Sequence, residues 1–210
     1  MTTTMDTCGA AILAGGRSSR MGCCKAKLMI GGTSMVSRLL SQLSGFQEVL
    51  LSANDPTLAE GLQIQVVQDL IPGAGPLSGI HACLSAAKSD ALLVIPCDLP
   101  NYSSAVGQHL LDALSKSTDA VVCRDSTGRV HPLCGIYRKQ SLPILEECLM
   151  EGEFRARTFL ERLNHTILDT GTLVPDAAFF NMNTPEDYRS MILKGDGEHS
   201  EQCVLPRRYI

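Results

Sequence analysis

Four short and largely apolar runs set the terms for this chain: AAIL at Ala10–Leu13, EVLLS at Glu48–Ser52, IQVV at Ile64–Val67 and ALLVI at Ala91–Ile95. They lack the strict alternation of a strand with one wet face, and so suit strands buried on both faces of a parallel sheet. Parallel strands need crossover connections, usually helical. Helix-like segments fill the gaps. SMVSRLLSQL (Ser34–Leu43) sets Met35, Leu39, Leu40 and Leu43 along one stripe. PLSGIHACLSAA (Pro76–Ala87) opens with proline at a first turn, and SAVGQHLLDALSK has Ser103–Ser104 to cap it.

This alternation over the first 120 residues predicts the α/β class. The expected fold is a single Rossmann-like domain whose mostly parallel sheet carries helices on both faces, with right-handed crossovers. Further strands are read at Ala120–Cys123, Val130–Tyr137 and, last, AFFNMN at Ala178–Asn183. Further helices are read around Pro143–Met150, around Arg157–Leu163 and at TPEDYRSMIL, where threonine caps, proline follows and acids crowd the first turn. A length of 210 residues and 44% hydrophobic content fit one domain, here 1–194, with the polar stretch 195–210 as a tail.

Charge and composition exclude several roles. A net charge of −4 argues against broad nucleic-acid or anionic-membrane binding, which needs a basic excess. No apolar run approaches the roughly 20 residues of a membrane helix, and MTTTMDTCGA lacks the basic start of a signal peptide. A cytoplasmic location is expected. The nine cysteines are odd in number, scattered and without a CxxC, so they read as reduced buried thiols rather than a disulfide framework. The histidines assemble no zinc site.

The chemistry concentrates at LAGGRSSRMGCCK, Leu13–Lys25, directly after the first strand. Open α/β sheets bind ligands there, beyond the carboxyl ends of their strands. From Thr7 to Gln47 the chain holds no Asp or Glu, yet it has Arg17, Arg20, Lys25, Lys27 and Arg38. Gly15 and Gly16 alone would suit a tight surface turn. In an acid-free basic stretch they suit a loop whose amides approach a polyphosphate, with Arg20 and Lys25 adding full charges. Neither GxxxxGK[ST] nor GxGxxG occurs, which removes the P-loop and the dinucleotide fingerprint. The second feature is IPCDLP, Ile95–Pro100. Asp98 there either caps the next turn or faces the triphosphate as a ligand of Mg²⁺, which takes one or two carboxylates plus phosphate oxygens.

LAGGRSSRMGCCKAKLMIGG resembles the signature LAGGxSxRMGxDK-x-L of molybdenum cofactor guanylyltransferases and the wider nucleotidyltransferase group. The likeness continues in order through VVQDL, GPLSGI, IPCDLP, HPLCGIY, GEFRARTFL and NMNTPED, from about Thr7 to Leu193. It implies a fold of the nucleotide-diphospho-sugar transferase type and GMP transfer from GTP to molybdopterin, with Mg²⁺. It also implies roles by position: Leu13, Ala14, Gly15 and Gly16 at the nucleotide, Lys25 on its phosphates, and Ser52 and Asp69 near base and ribose. Leu77, Ser78 and Gly79 would line the base pocket, Asp98 would ligate the metal, and Lys25, Arg20 and Asp98 would catalyse. Asn181, Asn183, Arg155 and His131 would meet the acceptor, although His131 also suits a core or capping role and Arg155 a solvated one. Protein partners would be cofactor-inserting proteins or apo-molybdoenzymes.

One position departs from the pattern. Cys24 stands where the family carries aspartate before the lysine. The competing readings are cytidylyl transfer to the same cofactor, nucleotidyl transfer to a sugar phosphate, and a nucleotide-binding regulator without turnover. LAGG and GPLSGI favour the guanylyl reading over the cytidylyl one.

Overall fold

The structure, a computed structural model, describes residues 4–15 and 24–195. Gly16, Arg17 and Arg20 of the basic loop lie outside the described residues, as does 196–210 of the expected tail. In chain order the elements are β1 (Gly9–Leu13), β2 (Met29–Ile30), β3 (Thr33–Ser34), α1 (Met35–Gln42), β4 (Val49–Ser52), β5 (Gln65–Val67), α2 (Pro76–Ala86) and β6 (Ala91–Pro96). Then come α3 (Ser104–Asp112), β7 (Ala120–Arg124), β8 (Val130–Arg138), α4 (Leu142–Met150), α5 (Ala156–Glu161), β9 (His165–Asp169) and α6 (Pro185–Gly195). The caps are those the sequence offers. Ser103 Oγ accepts from the Ala105 amide at 3.4 Å, and Thr184 Oγ1 from that of Asp187 at 3.1 Å.

Seven strands form one sheet in the order β5-β4-β1-β6-β8-β7-β9, while β2 and β3 make a small separate ribbon. β5, β4, β1 and β6 run parallel, β8 is antiparallel to both β6 and β7, and β9 is parallel to β7. The order grows outward from β1 through β4 and β5, then resumes on the other side of β1 with β6. That reversal is a topological switch point, where a crevice opens beyond the strand ends.

The unbroken apolar runs are explained by burial on both faces. In β6, Ala91, Leu93 and Ile95 join the core under α1 and α3, whereas Leu92 and Val94 join the core under α2, α4 and α5. A third, smaller cluster of Leu28, Ile30, Met35, Met182 and Tyr188 fastens α6 over the β2–β3 ribbon.

Two expectations need correction. AFFNMN is not a strand: a 3₁₀ turn at Asp176–Phe179 leads into extended loop backbone. Ala178 and Phe179 at its start and Met182 near its end are buried without any strand pairing, so burial there reflects turn and loop side chains plugging the core. The last strand is β9, which the sequence reading does not contain. It lies at the sheet edge and is only partly buried, so HTILD carries no continuous apolar run.

Candidate active site

The crevice is stitched together by backbone bonds between neighbouring strand ends. The Ala14 amide donates to Ser52 O at 2.8 Å, that of Cys97 to Leu13 O at 3.0 Å, and that of Ala53 to Val67 O at 3.0 Å. The loops after β1, β4, β5 and β6 therefore emerge side by side. Leu13 and Ala14 are nearly buried in the floor of this edge. Gly15 is exposed, and a Cβ built on it would meet nothing within 4 Å. Among the described residues nothing fills the space beside it.

At the centre sits Lys25, which begins a 3₁₀ turn (Lys25–Lys27) just after the basic loop. Its ammonium donates to Asp98 Oδ2 at 3.1 Å and to Asn183 Oδ1 at 2.6 Å. One cation thus joins three of the expected residues from three distant parts of the chain. Lys25 and Asp98 side chains are 14% and 19% exposed, so the pair is shielded yet open to a ligand. The second carboxylate oxygen, Asp98 Oδ1, is buried and has no hydrogen-bond partner among the described residues. A buried carboxylate oxygen left unpaired is costly, and a cation at that point would satisfy it.

The Asn181–Asn183 loop is held from both ends. The Met182 amide donates to Asp98 O at 2.9 Å, while Asp187 in the first turn of α6 accepts from the amides of Asn183 and Thr184 at 2.8 Å each. Burial alone would push the Asp187 carboxyl up, but these hydrogen bonds, with the Thr184 hydroxyl contact and the charge of Lys25, leave it below the usual carboxylate range. Asp187 stays ionised and anchors the loop.

The base-side candidates are arranged less directly. Ser52 is buried, and the Oγ lies 2.5 Å from where a Cβ on Gly79 would stand. Leu77 is in the core, and Ser78 Oγ donates to Ile71 O at 2.6 Å. At Ser52, Leu77 and Ser78 the side chains therefore shape the floor, and Gly79 lets α2 approach β1 and β4 closely. Asp69 is paired with Asn54 by two hydrogen bonds, Asn54 Nδ2 to Asp69 Oδ2 at 2.9 Å and the Asp69 amide to Asn54 Oδ1 at 3.1 Å. Asn54 was missed in the sequence reading, because the partners are 15 residues apart on the ends of different strands.

On the far side, β8 enters the sheet from this same edge. His131 Nε2 pairs with Asp125 Oδ2 at 2.8 Å, and its ring stacks on Phe179 with centroids 4.8 Å apart. His131 is therefore a fixed wall beside the loop that carries Asn181. Burial opposes ionisation of Asp125, but the Thr127 hydroxyl, His131 and the amides of Arg129 and Thr127 outweigh it and bring the carboxyl down to about 2. Arg155 immediately precedes α5 and is exposed, with its amide donating to Glu153 Oε1 at 2.9 Å. Its side chain is not drawn into the Lys25 cluster. Cys24 is exposed beside Lys25, whereas Cys97 is buried and pushed up to about 12, first by burial and then by the charge of Asp98. A thiol so raised is no nucleophile.

The chemistry of the donor set fits a metal ion that brings its own oxygens. Asp98 supplies one carboxylate with a free buried oxygen, and no group of three or more His, Cys, Asp or Glu suited to a metal occurs among the described residues. That pattern matches Mg²⁺ completed by phosphate oxygens and water.

Residues 10–167 match the MobA-like NTP transferase domain. The molybdenum cofactor guanylyltransferase of Cereibacter sphaeroides is 38% identical over 183 residues, covering 84% of this chain and 91% of that protein. The protein of the same name from Rhizobium meliloti is 36% identical over 196 residues, covering 86% and 88%. Among solved structures, molybdopterin-guanine dinucleotide biosynthesis protein A of Archaeoglobus fulgidus superposes with a TM-score of 0.77 at 27% identity, covering 89% of this chain and 97% of that one. By fold, crevice and these likenesses, the chain belongs to the molybdenum cofactor guanylyltransferase family, built on a MobA-like NTP transferase domain.

Proposed function

We propose that this protein transfers GMP from GTP to the terminal phosphate of molybdopterin, releasing pyrophosphate and forming the guanine dinucleotide cofactor. The observation that carries this reading is the Lys25 ammonium held between Asp98 and Asn183. In this reading that positive charge serves both a nucleotide bound over β1 and an acceptor bound against the 181–183 loop. An acceptor phosphate oxygen forms the new bond to the α-phosphorus of GTP, and the bond from that phosphorus to the bridging oxygen breaks in line. The electron pair leaves with pyrophosphate. The attacking monoester has a second pKa near 6, so it arrives ionised and no general base is required.

The chain's own contribution is positioning and charge neutralisation. Lys25 would hold the phosphates, helped by Arg20 and the loop amides, and Asp98 would hold the metal. Bound Mg²⁺ would neutralise charge on the phosphates as pyrophosphate departs. Asp69, tied to Asn54, faces the sugar and base side, and the open space at Gly15 admits the purine.

The test is a competition: equal GTP and CTP with Mg²⁺ and molybdopterin, products separated by mass. Guanylylated product is expected to exceed cytidylylated by at least about tenfold, equivalent to roughly 1.4 kcal/mol. Mostly CMP-linked product would reassign the enzyme to cytidylyl transfer, and no pyrophosphate release with either nucleotide would make it a binding protein.

A further inference from the structure

Lys25 and Asp98 carry opposite charges in one shielded place. The ammonium lies 3.1 Å from Asp98 Oδ2, and the two side chains are 14% and 19% exposed. On an open surface such a pair would be worth little. Away from bulk water the attraction of unit charges grows as the effective dielectric falls. Both partners have other work in the reading above, Asp98 with the metal and Lys25 with the nucleotide's phosphates. In the chain itself each is engaged with the other, so each task works against this contact.

The geometry decides which way the exchange runs. A divalent ion arriving alone must either take Oδ2 from the ammonium or accept a like charge across the same carboxylate. Both oppose its binding. A triphosphate arriving with it changes the balance, because its oxygens offer the ammonium charge-assisted hydrogen bonds of the same kind. Lys25 need not leave the site to take them. Its second bond, 2.6 Å to Asn183 Oδ1, does not involve Asp98, and Asn183 is itself fixed by its amide on Asp187 at 2.8 Å. The ammonium can therefore turn from Asp98 while its Asn183 anchor holds.

We propose that Lys25 is a displaceable counter-ion of Asp98. It disfavours the metal alone and, drawn off by the nucleotide's phosphates, admits metal and nucleotide together. The proposal rests on the reading that Asp98 binds the metal. Its consequence is a positive coupling between the two ligands, which linkage makes equal in either direction.

The test is equilibrium dialysis of the full-length protein against limiting Mn²⁺, with and without GTP, reading the excess manganese on the protein side. Manganese complexed by free GTP is equal on both sides and drops out. In the wild type, GTP is expected to raise the retained manganese. Lys25→Gln removes the charge but keeps an amide able to donate to Asp98. It is expected to bind Mn²⁺ alone at least about fivefold more tightly than the wild type, and GTP should no longer raise its retention. A gain of affinity on losing a charge is not what a damaged fold produces. Lys25→Arg restores the charge and should return the weak binding of the metal alone. The gain should vanish when Lys25→Gln is combined with Asp98→Asn. Unchanged or weaker Mn²⁺ binding in Lys25→Gln would overturn the proposal, as would a gain that Lys25→Arg shares or that survives Asp98→Asn. GMP transfer is measured separately on the wild type. Its absence beside a Lys25-dependent manganese response would sink the transferase reading and leave the exchange standing.

Discussion

At the scale of single residues the site turns on Lys25, whose ammonium makes both of its hydrogen bonds to other expected site residues. Lys25→Ala is expected to weaken GTP binding by about 1.5–3 kcal/mol, the worth of a charge-assisted phosphate contact, and calorimetry on the folded variant checks this. Asp125 makes a different demand. Its folded carboxyl stands at about 2 against an ordinary value of 3.8. A depressed carboxylate stabilises the fold fully above its unfolded pKa, and that contribution fades as pH falls towards the folded value. The wild type should therefore lose urea resistance between about pH 4 and pH 2 more steeply than Asp125→Asn. Parallel curves for the two proteins would show that the Asp125–His131 pair contributes nothing to acid stability.

At the scale of elements, the decisive contact is the crossing of α2 over β1 and β4. A Cβ on Gly79 would lie 2.5 Å from Ser52 Oγ, 3.4 Å from Ser52 Cβ and 3.3 Å from Leu13 Cδ2. Gly79→Ala is expected to cost about 1–3 kcal/mol through overpacking, partly offset by alanine's better helix propensity. Ser52→Ala removes the closest atom, so the double variant should recover part of the loss, a coupling that urea denaturation reads directly. Simple additivity of the two single changes would mean that the helix shifts rather than clashes. This scale also shows what the sequence makes legible. Ala91–Pro96 and Pro76–Ala86 were readable because apolar burial, proline and glycine act locally in the chain. The edge strand His165–Asp169 was hidden by its half-solvated pattern, and AFFNMN imitated a strand because the side chains of a turn and loop there plug the core. In the site, Lys25 and Asp98 could be named from their loops. The pairing of Asn54 with Asp69 could not, since it is created by β4 and β5 ending together.

At the scale of the whole molecule, two cores share one sheet and a third cluster hangs beneath α6. Tyr102 belongs to the first, Tyr137 to the second and Tyr188 to the third. The chain has no tryptophan, so tyrosine emission samples all three at once. Because the strands are common to both large cores, the two should melt together. Tyrosine fluorescence and helical circular dichroism are expected to give coincident urea transitions. An early fluorescence step abolished by Tyr188→Phe would show instead that the α6 cluster opens on its own.

The Lys25 junction also has a bearing on time. Its two partners stand 73 and 158 residues further along the chain. At a synthesis rate of roughly 5–20 residues per second, the ribosome delivers the lysine about 8–30 s before Asn183. Throughout that interval the nascent protein can fold its first strands and even bring Asp98 alongside, but it has no 181–183 loop against which to align an acceptor. On the proposed role of that loop, substrate joining is reserved for a chain that has been read almost to its last helix, and a prematurely terminated product is expected to lack transfer.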